Sequence, residues 1–186
     1  RHWVNVAVAA QSAGVPALVE PALGQALERD PDCLPALLVK GELLMRAGQP
    51  AEAAPLFERA VRAAPQSAEA HNALGVAWDR LGHPEKAATA YRRAIAVDPK
   101  HHRAHSNLGS LHDRQGRHEE ALVCFRTALA LDPRSAAAWT NLGLAYAHLG
   151  DGDSALKTAR TAAELHPRSD AIRANLAAIL QAVSPR

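Results

Sequence analysis

The side chains best equipped for chemistry in this 186-residue chain are its ten histidines, three of which stand together as His101-His102-x-x-His105. That spacing, across a loop and the start of a helix, could present two imidazoles to a metal ion. No carboxylate or cysteine adjoins them, and His105 falls in a slot whose equivalents face inward. They read as core and surface histidines, with no metal centre. Cys33 and Cys124 lie 91 positions apart, which gives neither a disulfide framework nor the paired spacing of a zinc site. They read as two unpaired thiols. Glu119 and Glu120 open a helix, where negative charge suits the helix dipole, so they are not a glycosidase pair. No serine is set in a Gly-x-Ser-x-Gly elbow and no glycine-rich phosphate loop follows a strand. Catalysis lacks a scaffold, and no cofactor is implied.

Charge and hydropathy narrow the partners. Lys and Arg number 21 against 19 Asp and Glu, a formal charge of +2 with the signs interspersed. Such a surface builds no dense positive face for a phosphate backbone, so nucleic acid is not expected. No uninterrupted apolar run approaches the roughly 18 residues of a membrane span, and a soluble chain is expected. Residue 1 is Arg and no charged-then-apolar leader follows. The chain is expected to be processed or cut from something longer, with the cytoplasm as default compartment.

The elements that must position these side chains are set by a repeat. Pro31, Pro65, Pro99, Pro133 and Pro167 recur every 34 residues. Gly14, Gly48, Gly82, Gly116 and Gly150 keep the same interval, as do Gly41, Gly75, Gly109 and Gly143 in a second slot. Between them, apolar residues recur at helical spacing, as in Leu74, Trp78, Leu81 and Ala87, Tyr91, Ala94. Each unit is two helices. A glycine of the Gly82 kind closes the first, a first-turn proline such as Pro16, Pro50 or Pro84 opens the second, and Asp-Pro at Asp30, Asp98 and Asp132 ends it. Ser67, Ser135 and Ser169 are placed to cap the next helix. Pro21 and Pro55 lie deeper in a second helix, which predicts a bend or a late helix start there. One hairpin cannot bury its own apolar stripe, so the hairpins must stack.

These residues resemble the tetratricopeptide-repeat family, whose pattern is Trp-x-x-Leu-Gly-x-x-Tyr, then Ala-x-x-x-Phe, then Pro. Trp139, Leu142, Gly143 and Tyr146 match the first helix; Ala121, Phe125 and Pro133 match the second, as do Ala87, Tyr91 and Pro99. The resemblance implies an all-α fold, a right-handed α-solenoid (superhelix) of helix-turn-helix units, over one domain, 1–186. Five units are expected at 1–33, 34–67, 68–101, 102–135 and 136–169, with a capping helix at 170–183 that repeats the pattern through Leu176 and Leu180 and turns Arg173 and Gln181 to water. His71 and His105 replace the tryptophan, His112 the tyrosine, Lys40 the leucine and Ala159 the phenylalanine, so looser packing is expected there. Trp3, Phe57, Trp78, Tyr91, Phe125, Trp139 and Tyr146 all fall in packing slots, leaving no aromatic for a ligand.

The resemblance further implies that first helices line the inside of the curve. The expected inner face is apolar in its N-terminal half, through Val4, Val8, Leu38, Val39, Met45 and Val76. In its C-terminal half it is hydrogen-bonding, through Arg103, Ser106, Asn107, Ser110, Arg114, Asn141, His148 and Asn175, with Asn72 between. A two-part ligand is implied. Asn5, Asn107, Asn141 and Asn175 share one slot, interrupted by Val39 and Ala73. An amide there can pair with the main chain of an extended peptide or simply bond between repeats. The ladder is similar to that of the O-linked N-acetylglucosamine transferase family. Asp79-Arg80 and Asp113-Arg114 are expected to self-neutralise, while Arg103 and Arg114 could hold one carboxylate. The lysines of the family's chaperone-binding carboxylate clamp are missing.

The sequence thus reads as a non-catalytic scaffold whose concave groove holds an extended or helical segment of a partner protein. Two alternatives stay open: the substrate-docking region of a larger modifying enzyme such as a glycosyltransferase, and weak self-association through an N-terminal edge of Trp3, Val6 and Ala10.

Overall fold

The computed structural model describes residues 2–12 and 15–183. Among these the chain forms eleven α-helices and one 3-10 turn, with no strand. In order they are α1 (His2–Ser12), the 3-10 turn Pro16–Leu18, α2 (Val19–Arg29), α3 (Leu34–Arg46), α4 (Pro50–Ala63), α5 (Ala68–Arg80), α6 (Pro84–Val97), α7 (His102–Arg114), α8 (His118–Leu131), α9 (Ala136–His148), α10 (Gly152–Leu165) and α11 (Asp170–Val183). They form two compact units, Arg1–Val97 and Asp98–Arg186.

Local chemistry sets the boundaries. Gly48, Gly82, Gly116 and Gly150 have φ of 74 to 76°, the left-handed region in which a side chain is strained. The residue after each donates its N–H back over the last turn, as from Arg117 to the His112 carbonyl at 3.0 Å, a Schellman closure. Gly14 lies outside the described residues. Ser67 and Ser135 accept from the N–H three residues on, at 3.2 and 3.3 Å, and so does Ser169 at 3.4 Å. In the same slot His101 caps α7 through Nδ1, accepting from Ala104 N–H at 3.1 Å. Asp151 caps α10, and the hydrogen bonds it receives from the Ser154 side chain and backbone hold its carboxyl below the ordinary range. After each stop, Asp30, Asp98 and Asp132 accept from the N–H two residues on. That turn explains why aspartate precedes the proline.

The expected late helix start is found in one unit and not the other. The second helix of the first unit opens as a 3-10 turn and becomes α-helical only at Val19, which leaves Pro21 in the tolerant first turn. In the next unit α4 begins at Pro50 and continues through Pro55.

Within the N-terminal unit, α1 packs on α2, α3 on α4 and α5 on α6. Each second helix also meets the next first helix, and neighbouring first helices touch. The C-terminal unit repeats this, with α7 on α8, α8 on α9, α9 on α10 and α10 on α11. Its cap buries Ile172 and Ile179, while Leu180, expected in the packing stripe, is 40% exposed. Arg173 and Gln181 face water as expected.

The histidine substitutions do not loosen the stack as expected. Trp139 Nε1–H donates to the Pro133 carbonyl at 2.8 Å. His71 and His105 place Nε2 at 3.0 Å from the equivalent carbonyls of Pro65 and Pro99. A carbonyl only accepts, so each imidazole carries its proton on Nε2 and reproduces the indole bond. His71 and His112 are buried. His105→Phe keeps a ring but loses the donor, and should cost about 0.5–1.5 kcal/mol, while His105→Trp should cost less. Urea unfolding of the two variants checks this.

Candidate functional site

The inner-face residues read from the sequence divide by unit. In the N-terminal unit most are already engaged in the core. Val4 and Asn72 are buried at 6% and 3% exposure, and Ala73 is buried too. Leu38, Val39 and Met45 pack on buried clusters of their own unit. Val76 is half-buried, and Val8 is exposed. Burial of Val4 and Asn72 leaves less of the expected apolar half open, while Val39 and Val76 stay partly exposed. The proposed self-association edge is likewise reduced: Ala10 is buried, and Trp3 and Val6 pack on the core. Arg29 lies 6.0 Å from the Trp3 ring centroid, and the ring walls a cavity of about 650 Å³ that also takes in Asn5, Asp32 and Cys33.

The aromatics are less uniformly buried than expected. Phe57, Tyr91 and Phe125 are buried, whereas Trp78, Trp139 and Tyr146 are half-buried. Lys86 places its ammonium 4.2 Å from the Trp78 ring centroid at a shallow cavity of about 450 Å³ between α5 and α6.

In the C-terminal unit the polar residues do come together. On α7, Arg103, Ser106, Asn107, Ser110 and Arg114 follow one another at steps of three, one, three and four, a single helical stripe. The same helix buries Ala104, Leu108, Leu111 and His112 away from this stripe. Arg103 and Arg114 are exposed, and Ser106, Asn107 and Ser110 half-buried. From α9, Asn141 Nδ2 donates to Ser110 Oγ at 2.9 Å, and that hydroxyl donates to the Ser106 carbonyl at 3.0 Å. One rung of the asparagine ladder therefore bonds between repeats. Asn175 is half-buried on α11.

His148 ends α9 and does not stand alone. Its Nδ1 lies 3.0 and 3.1 Å from the two carboxylate oxygens of Asp113, and His118 Nδ1 lies 2.7 Å from Asp113 Oδ1. Asp113, expected to pair with its neighbour Arg114, instead turns to two imidazoles. Reading the sequence passed over His118 altogether. The only signal is that the residue opening α8 falls five positions after an acid across a three-residue turn. The His101-His102-x-x-His105 group, by contrast, disperses: His101 caps a helix, His102 Nδ1 is 3.7 Å from Asp132, and His105 bonds Pro99.

Family models described as tetratricopeptide repeat match residues 7–68, 38–82, 73–123 and 136–168, and one described as TPR repeat matches 114–150. The chain is similar to the crystal structure of TTC0263, a thermophilic TPR protein in Thermus thermophilus. The two are 21% identical with a TM-score of 0.82, covering 97% of this chain and 98% of that one. It is also similar to MamA, at 27% identity and TM-score 0.71, covering 89% of this chain and 91% of that one. A third likeness is to YrrB, described as a TPR protein with an unusual peptide-binding site, at 25% identity and TM-score 0.69, covering 95% and 89%. No curated protein matches. The fold shared with these structures is a solenoid of helical hairpins. Among the described residues no helix is long and apolar enough to cross a membrane.

Proposed function

Because this chain belongs to the tetratricopeptide-repeat family, we infer that it is a protein-interaction scaffold that binds a segment of a partner protein against first helices of its C-terminal unit. The observation that supports this reading is the polar stripe of α7, joined by Asn141 and His148 of α9. It sets donors and acceptors on a surface whose opposite side is fixed by burial against α8. Asparagine and serine groups pair with main-chain amides whatever the peptide's side chains, at roughly 0.5–1.5 kcal/mol per bond. Arg103 and Arg114 place positive charge at the two ends of the stripe, which favours acidic groups along the bound segment. YrrB, described by its peptide-binding site, is a relative in fold and sequence that supports the same use here. Binding, not catalysis, is the activity proposed, and the stacked helices pre-order the receptor so that the peptide bears most of the ordering cost.

A peptide selected from a random-sequence display library on the immobilised chain tests it. Asn107→Ala with Asn141→Ala should weaken that peptide at least about tenfold, or 1.4 kcal/mol. Loss of the Asn141–Ser110 bond should itself cost only about 1 kcal/mol of stability. Unchanged affinity in calorimetry would remove this face from the function.

A further inference from the structure

Asp113, His118 and His148 converge from three helix ends of the C-terminal unit. Asp113 lies one residue before the end of α7, His118 opens α8, and His148 closes α9. One ligand atom from each lies within 4.8 Å of the others. The imidazole ring centroids are 5.0 Å apart with the planes tilted at 43°, so the rings do not stack. Exposure rises across the group, with Asp113 at 14%, His118 at 24% and His148 at 50% of its side chain. The carboxylate therefore sits at the floor of a notch that opens past His148 to solvent.

We propose that these three residues form a binding site for a divalent first-row transition metal ion, of the zinc, cobalt or nickel type. Two imidazoles and one carboxylate suit those ions and not magnesium or calcium, which favour all-oxygen shells. Both histidine–carboxylate separations are close to those of a bound ion, and the two imidazole nitrogens, within 4.8 Å of each other, close up by rotation of the exposed His148 ring. Ligands about 2.05 Å from one ion, at octahedral to tetrahedral angles, lie about 2.9–3.4 Å apart. The His148–Asp113 separations of 3.0 and 3.1 Å fall inside that range. The His118–Asp113 pair, at 2.7 Å, needs to widen by only a few tenths. Without an ion each Nδ1–H donates to the carboxylate. With one, each imidazole would carry its proton on Nε2 and offer the Nδ1 lone pair to the ion. The turn that sets the His118–Asp113 distance is rigid, fixed by Gly116 at φ 74° and by Arg117 N–H on the His112 carbonyl. Three protein ligands leave a fourth position to water. Ion binding here requires no peptide and goes beyond the scaffold reading.

The test is titration of the full chain with Co²⁺, read by its visible absorption, and with Zn²⁺ by calorimetry. One ion per chain is expected. His148→Ala and Asp113→Asn should each weaken it about ten- to hundredfold, with helical circular dichroism unchanged. His148 is half-exposed, so its loss does not threaten folding. A His101→Ser/His102→Ala variant, which keeps a serine cap on α7, should bind as the parent does. A titration that never saturates, equal affinity after His118→Ala with His148→Ala, or loss of binding in the His101/His102 variant instead would each overturn the proposal.

Discussion

Phe125→Ala should destabilise the chain by about 3–5 kcal/mol, the range for deleting a buried aromatic. The ring is fully buried, and many of its neighbours are too small to refill the cavity. Its cluster contains Ala121, Ala128, Ala138 and Ala145, methyl groups with no torsion that could swing into the space. On the other side lies Gly109, whose missing Cβ would stand 2.8 Å from a Phe125 ring carbon. The larger members of the cluster, Leu122, Leu129 and Leu142 with Trp139 and Tyr146 packed against it, are the side chains that could relax toward the gap, and they set how much of the full cost is felt. Phe125→Leu, which retains most of the volume, should lose less than half as much. Denaturant unfolding at matched m-value decides it, and a loss under about 1.5 kcal/mol for the alanine variant would show that α8 and α9 close over the gap.

How far such packing could be read in advance depends on the range of the interaction. The helix ends were legible because they are local. The glycines at φ near 75° and the Asp-Pro stops act within one turn of chain, so their 34-residue spacing carried the hairpins directly. On hydrophobic volume alone, histidine at positions 71 and 105 is a loss of packing. What the slot needs as well is a ring N–H six residues after a proline carbonyl, and imidazole supplies it. Asp113 was misread for a geometric reason. Sequence neighbours on a helix point about 100° apart, so Arg114 is poorly placed for its carboxylate, whereas His148 approaches from the next first helix. That pairing spans 35 residues, one repeat plus one, an offset set by the stagger between helices and not by periodicity. The burial of Asn72 and Val4 escaped for a similar reason: whether the far side of a first helix is covered depends on how closely the next first helix approaches.

The glycines of the second slot carry the other large effect, and its sign should change along the chain. A Cβ on Gly75 would lie 2.5 and 2.6 Å from ring carbons of Tyr91, and one on Gly41 would lie 2.3 Å from Phe57. Both rings are about 1% exposed and have nowhere to swing. Overpacking of this kind costs typically about 1–3 kcal/mol, against roughly 1 kcal/mol gained from replacing glycine by alanine in a helix. Gly75→Ala and Gly41→Ala should therefore be net destabilising. Gly143 differs because Ala159 stands where the ring would be, and the space is taken by Ile179 of α11, whose nearest carbon would be 3.4 Å from the new Cβ. Gly143→Ala should be neutral or stabilising by up to about 1 kcal/mol. The first repeat already contains the compensated form, with Ala7 and Leu23, both fully buried, in the two slots. Copying it, Gly75→Ala with Tyr91→Leu should lose less than the sum of the single changes, by a coupling of about 0.5–3 kcal/mol. A stability shift of the same sign at Gly75 and Gly143 would mean that helix propensity, and not the ring against the glycine, governs this slot.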